Sequence, residues 1–166
     1  MKHVNLLNIY IYIGKNFLSC IMLHVEQTQK KLQVAVKAFI INEEGNILLL
    51  EKNKENRPEY PSKWDIPGGR IDVGVSLLDS LKREIKEETG QEIIGIPRLI
   101  FAQDILRETF HIVRLSYVIQ TKGEFMLSEE HVSARWFSYD DLSNEGSVDE
   151  CIREVLDWVP RETFVI

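Results

Sequence analysis

A proline and two glycines, Pro67-Gly68-Gly69, lead through a short polar stretch into a segment carrying Glu84, Glu87 and Glu88, and this arrangement constrains the chain most. The segment from Val75 to Thr89 is predicted to be a helix. Ser76 with Asp79 has the form of a capping box, and Gly90 supplies a left-handed stop. On a wheel of about 100° per residue, Glu87 and Glu88 fall on either side of Glu84, so the three carboxylates form one cluster. Leu77, Leu78, Leu81 and Ile85 form the neighbouring stripe that should face a core, which puts the acids at the rim of the buried face. Like charges there repel one another and lose hydration, and a hard cation is the natural remedy. A solvated acidic face, with Arg83 paired to Glu87, is the plainer alternative from the helix alone. The loop before the helix shifts the balance, because Gly68 and Gly69 let backbone approach a ligand or metal where a side chain would clash.

The rest of the chain reads as alternating strands and a second helix. Val34, Val36, Ala38 and Ile40 alternate along a strand from Leu32, a turn follows at residues 42–46, and Ile47 to Leu50 returns. A polar loop over residues 53–63 holds Pro58 and Pro61. Strands are predicted from Leu99 to Ile105, through His111, Val113, Leu115, Tyr117 and Ile119, and from Ala134 to Ser138. Ser147 with Glu150 repeats the helix-start signal ahead of the stripe Val148, Ile152, Val155, Leu156 and Val159. Strict βαβ alternation is missing, so the fold class is a mixed α/β (α+β) sandwich.

At 166 residues the chain has the length of about one domain, and 44% hydrophobic with 28% charged residues excludes a disordered class. A net charge of −6 argues against nucleic acid or an anionic membrane surface as the main partner. A phosphorylated small molecule remains open if a cation carries its charge. Cys20 and Cys151 form no CxxC pair and the four histidines have no ligand-like spacing, which fits a reducing cytoplasm. No apolar run reaches the ~20 residues of a membrane-spanning helix. The first residues are apolar but broken by Asn5, Asn8, Lys15 and Asn16. They read as an added amphipathic segment, as an upstream start ahead of Met22, or as a targeting peptide, and the first two remain open.

The loop and helix together resemble the box of the Nudix (MutT-related) hydrolase family. Gly69 matches its opening glycine, and Arg83-Glu84-Ile85-Lys86-Glu87-Glu88-Thr89-Gly90 matches the second half at every specified position. Trp64-Asp65-Ile66-Pro67 before the box, and Glu130-His131 then Arg135-Trp136-Phe137 after it, also look like the family. The resemblance spans about residues 32–158, which divides the chain into residues 1–22, an extension or misassigned start, and a Nudix domain over residues 23–166. It implies a mixed β-sheet sandwiched between helices, with the box as loop–helix–loop. It further implies Mg²⁺ (or Mn²⁺) held by Glu84, Glu87 and Glu88 with the Gly68 carbonyl, and Arg83 orienting a glutamate. Arg83, Glu84, Glu87 and Glu130 form the implied catalytic set; the base comes from the box or from a later loop, where Glu129 and Glu130 are candidates, with a plain exposed loop position as the alternative for Glu130.

The implied reaction is attack of water on a phosphorus of a nucleoside diphosphate linked to another group, with a nucleoside triphosphate cleaved to monophosphate and pyrophosphate as the leading substrate. Trp64, Tyr60 and Phe110 are candidates to stack on a base, with a core or rim position as the alternative for each. The expected partner is a small nucleotide, without nucleic acid or membrane, in a chain compatible with a homodimer. Two positions depart from the family pattern. Val75 stands where the box has its first glutamate, which should weaken metal binding or leave Arg83 to rely on Asp79 and Glu87, and Gln91 replaces the closing aliphatic residue. The loss at position 75 raises a second reading, a nucleotide-binding or regulatory module of the same fold with weak or no catalysis.

Overall fold

The computed structural model describes residues 30–53 and 63–165. Tyr60, Cys20 and the expectations for residues 1–22 lie outside them. In chain order the elements are β1 (Lys31–Ile40), β2 (Ile47–Lys52), β3 (Trp64–Asp65), α1 (Leu77–Thr89), β4 (Glu92–Leu106), β5 (Phe110–Lys122), β6 (His131–Phe137), α2 (Tyr139–Asn144) and α3 (Glu150–Trp158), followed by a 3₁₀ turn over Arg161–Phe164.

Alternation along β1 serves two cores at once. Val36, Ala38 and Ile40 point to one side, where they meet Leu81 and Ile85 of α1 together with Leu48, Leu50, Tyr117 and Ile119. Phe39 and Ile41 point to the other side, among Trp64, Phe137, Leu142, Ile152, Val155 and Phe164. Helices therefore close both sides of the strands. β1 runs parallel to β5, and β5 pairs antiparallel with β4. The other sheet is antiparallel, in the order β3-β2-β6. The expected sandwich is met.

The turn between β1 and β2 closes where expected, with Gly45 at φ 79° and Asn46 donating its N–H to the Asn42 side chain. β4 is much longer than expected, since Pro97, which carries no N–H, sits at a bulge between Ile94 and Arg98 and does not end the strand.

Helix ends carry the other corrections. α1 starts at Leu77 and not at Val75, because Ser76 caps it by accepting the Asp79 N–H at 3.1 Å, while Gly74 (φ 89°) turns the chain just before. Leu78, placed on the core stripe, is 40% exposed. α3 is capped by Asp149, which accepts the Cys151 N–H at 3.0 Å, whereas Ser147 donates to Glu145. α2 was not anticipated, although Ser138 and Asp141 carry the same cap signature as α1. Among the described residues no helix is long and apolar enough to cross a membrane.

Candidate active site

Loop residues 67–71 lie alongside β1 and are hydrogen-bonded to it. Ala38 N–H donates to Pro67 O and Val36 N–H to Gly69 O, both at 2.9 Å. This approach explains the first glycine: Gly68 has φ 122°, and a Cβ there would stand 2.2 Å from the Val36 carbonyl oxygen. The second glycine answers to a side chain instead. A Cβ on Gly69 would come within 2.6–2.8 Å of the Glu84 carboxylate.

The three helix glutamates occupy different environments. Arg83 bridges two of them, with Nη2 2.8 Å from Glu84 Oε1 and Nη1 2.8 Å from Glu87 Oε2. Burial alone would lower the Arg83 pKa, but Glu84 and Glu87 outweigh it and raise it. Asp72 approaches the same guanidinium at 3.7 Å. The reliance of Arg83 on Asp79 is not observed. Asp79 accepts from Ser76 and faces Lys82 at 4.0 Å, while Asp72, a residue the sequence reading passed over, takes that place. Glu87 is exposed.

Glu88 is buried and turned inward, Oε2 accepting the Gly68 N–H at 2.7 Å and Oε1 standing 4.0 Å from His131 Nε2. Burial pushes the Glu88 carboxyl up to about 7, more than Lys37 and the Gly68 N–H pull it back. Glu84 is also raised, by burial first, with Arg83 opposing. Glu129 and Glu130 are exposed, and neither side chain makes a hydrogen bond or ion pair among the described residues.

These carboxylates fit a hard divalent cation by their chemistry. Glu84 and Glu88 are oxygen donors whose ionised form is penalised by burial, so a bound cation would favour the charge that the protein alone disfavours. Oxygen donors match Mg²⁺ or Mn²⁺ and not a thiolate-seeking metal. Among the described residues no three acidic, histidine or cysteine side chains already converge on one point. In this structure Glu87 is held by Arg83 and Glu88 by Gly68.

Beside the loop lies a second charged group that the sequence reading did not single out. Asp65 precedes Ile66 and is buried. Its Oδ2 receives Lys37 Nζ at 3.0 Å and Lys52 Nζ at 3.1 Å. Its Oδ1 accepts the Ile66 N–H at 2.9 Å, with Arg114 Nη2 at 3.6 Å. Burial would raise the Asp65 pKa, but Lys37, Arg114 and Lys52 hold it far below the ordinary carboxylate range. A lysine between Ala35 and Phe39 on an otherwise apolar strand face was the available signal. Trp64 is a core residue, edge-on to Phe137 at 5.3 Å, which excludes it as a free stacking platform here. Phe110 is half-buried beneath the Arg70 guanidinium, 5.1 Å from the ring centroid.

The family model for the NUDIX domain matches residues 31–159. The chain belongs to the NUDIX family. It is a Nudix hydrolase, and its relatives agree. Nucleoside triphosphatase NudI of Escherichia coli (strain K12) is 27% identical over 114 residues, which is 62% of this chain and 80% of the relative. A MutT NUDIX hydrolase from Burkholderia pseudomallei superposes with TM-score 0.68 at 27% identity, over 79% of this chain and 100% of the other. The MutT protein from Methanosarcina mazei Go1 gives the same TM-score, 0.68, at 25% identity over 78% and 93%.

Both departures from the Nudix box have a local structural reading. Gln91 exchanges apolar packing for hydrogen bonds, accepting from Thr121 Oγ1 at 2.9 Å and donating to Gly123 O at 3.2 Å. Val75 lies one residue before the α1 cap, outside the helix, and is 40% exposed. A charged side chain is therefore tolerated there. Val75→Glu is expected to fold normally and to lower the Mg²⁺ concentration for half-maximal rate about fivefold, equivalent to ~1 kcal/mol. Titrating Mg²⁺ at saturating substrate measures this, and an unshifted curve makes the missing glutamate irrelevant.

Gly69→Ala gives a complementary result. Its φ is not in the left-handed region, so the added methyl acts on the flexible Glu84 carboxylate and not on backbone. Thermal unfolding is expected to move little while activity falls about tenfold. Unaltered activity would show that the Glu84 carboxylate has no fixed position to lose.

Proposed function

We propose that this Nudix hydrolase uses Mg²⁺ or Mn²⁺ to hydrolyse a nucleoside diphosphate linked to another group, with a nucleoside triphosphate cleaved to monophosphate and pyrophosphate as the leading substrate. The observation that carries the reading is the pairing of loop and helix, in which Gly68 N–H binds the buried Glu88 carboxylate while Arg83 spans Glu84 and Glu87. NudI, named as a nucleoside triphosphatase, supports the substrate class.

In this reading Glu84, Glu87 and Glu88, with the Gly68 carbonyl, hold the cation. When bound, it neutralises phosphate charge and makes the attacking water more acidic. Arg83 keeps Glu84 and Glu87 oriented through its two ion pairs. Glu130 takes the proton from water, and its exposed position leaves it free to turn toward substrate. The activity resides in residues 23–166, in the cytoplasm. The partner is a small nucleotide and neither nucleic acid nor membrane.

Purified protein screened against nucleoside triphosphates and nucleoside diphosphate derivatives, with and without Mg²⁺, tests the proposal. Metal-dependent release of pyrophosphate from one triphosphate is the expected result. Release of phosphate alone would reassign the bond cleaved, and a blank screen would overturn the reading.

A further inference from the structure

Lys37 has a place in the fold that its ion pair with Asp65 does not exhaust. It sits on β1 between Val36 and Ala38, the two residues whose N–H groups bind the loop carbonyls of Gly69 and Pro67. Its side chain leaves the opposite face of the strand and turns under the loop. Nζ donates to Asp65 Oδ2 at 3.0 Å and to Ile66 O at 2.9 Å. An ammonium group has three hydrogens. Those two bonds leave one N–H with no acceptor among the described residues, on a side chain that is 16% exposed.

Lys37, Lys52 and Arg114 surround Asp65 beside the Gly-Gly loop, and Asp149 also contacts Lys52 and Arg114. The field of Lys37 reaches the other side of the loop, where it favours the ionised forms of both Glu84 and Glu88. A cation next to the carboxylates, fixed at two points and retaining one hydrogen, is suited to a phosphate oxygen.

We propose that Lys37 is a further substrate-binding residue, its remaining N–H holding a phosphate oxygen of the diphosphate seated at the Gly68-Gly69 loop. The inference rests on the proposed diphosphate chemistry and assigns part of its recognition to β1. Asp65 is then a positioning residue, since it fixes the ammonium group from behind.

Methylene bisphosphonate, a diphosphate analogue whose bridge does not hydrolyse, separates this inference from catalysis. Calorimetric titration into the full chain with Mg²⁺ is expected to show binding, weakened about tenfold or more by Lys37→Gln. Lys37→Arg keeps the charge and is expected to recover most of the loss. If Lys37→Gln folds poorly, acetic anhydride labelling of the unaltered protein replaces it. Lys37 acetylation, followed by peptide mass spectrometry, is expected to slow when bisphosphonate and Mg²⁺ are present. Equal affinity in the folded glutamine variant, labelling unaffected by bisphosphonate, or no bisphosphonate binding at all would overturn the proposal. Lys37-dependent binding together with a blank nucleotide screen would instead retain this inference and overturn the proposed reaction.

Discussion

Replacing Glu88 with glutamine is expected to lower turnover by at least about 10²-fold, because it removes one ligand charge from the proposed metal site. The substitution is unusually clean. The glutamine oxygen can still accept the Gly68 N–H that Glu88 now binds at 2.7 Å, so the loop keeps its anchor. Burial already disfavours the ionised carboxylate, whose pKa stands at about 7, so a neutral amide of the same shape should leave thermal stability equal or higher. Glu87→Gln is expected to cost a similar factor for a different reason. Glu87 is exposed and paired with Arg83, so this change removes a ligand charge and weakens one of the two close ion pairs of the guanidinium. Both variants should bind Mg²⁺ more weakly in a direct titration. Undiminished turnover in both would remove this helix from the active site.

The box was legible because its information is local. Ser76 and Gly90 bracket α1 by backbone chemistry that depends on neighbours in sequence, and the wheel placed Glu84 and Glu88 beside Leu81 and Ile85 as observed. Residues 75 and 76 were harder, since a capping serine and a first helical residue look alike until the turn at Gly74 is known. The pairing of Arg83 with Glu87 was legible too, as a contact one helical turn apart. The inward turn of Glu88 was not, because its partner Gly68 comes from a preceding loop.

The Asp65 cluster was illegible for a different reason. Its cations come from β1, β2 and β5, and only the register that pairs Ala35 with Arg114 and Lys37 with Ser116 brings Lys37 and Arg114 to one face. Spacing along the chain carries no trace of that pairing. The same holds for Trp64, whose ring is claimed by Phe137 from β6 of the same sheet.

Asp65→Asn is expected to cost about 3–5 kcal/mol at neutral pH, the range for removing one partner from a buried ion pair. At a chain of this size that corresponds to a fall in Tm of roughly 10 °C. The change leaves Lys37, Lys52 and Arg114 around a neutral amide, with Asp149 still in contact with Lys52 and Arg114. The loss should depend on pH with a definite sign. The folded-state pKa of Asp65 is held far below its ordinary value of 3.8, so the unfolded chain takes up a proton at this position first. Its stabilisation is therefore complete above about pH 5 and declines as pH falls through and below the unfolded value near 4. The asparagine variant lacks this component, while every other carboxylate titrates in both proteins. The gap between thermal unfolding curves collected from pH 8 down to pH 3 should accordingly narrow, by about 1 kcal/mol at pH 3, with the wild-type protein losing part of its advantage on the acidic side. A gap of constant size across that range would mean that Asp65 stabilises the loop by shape and hydrogen bonding alone, without the charge that joins the three strands.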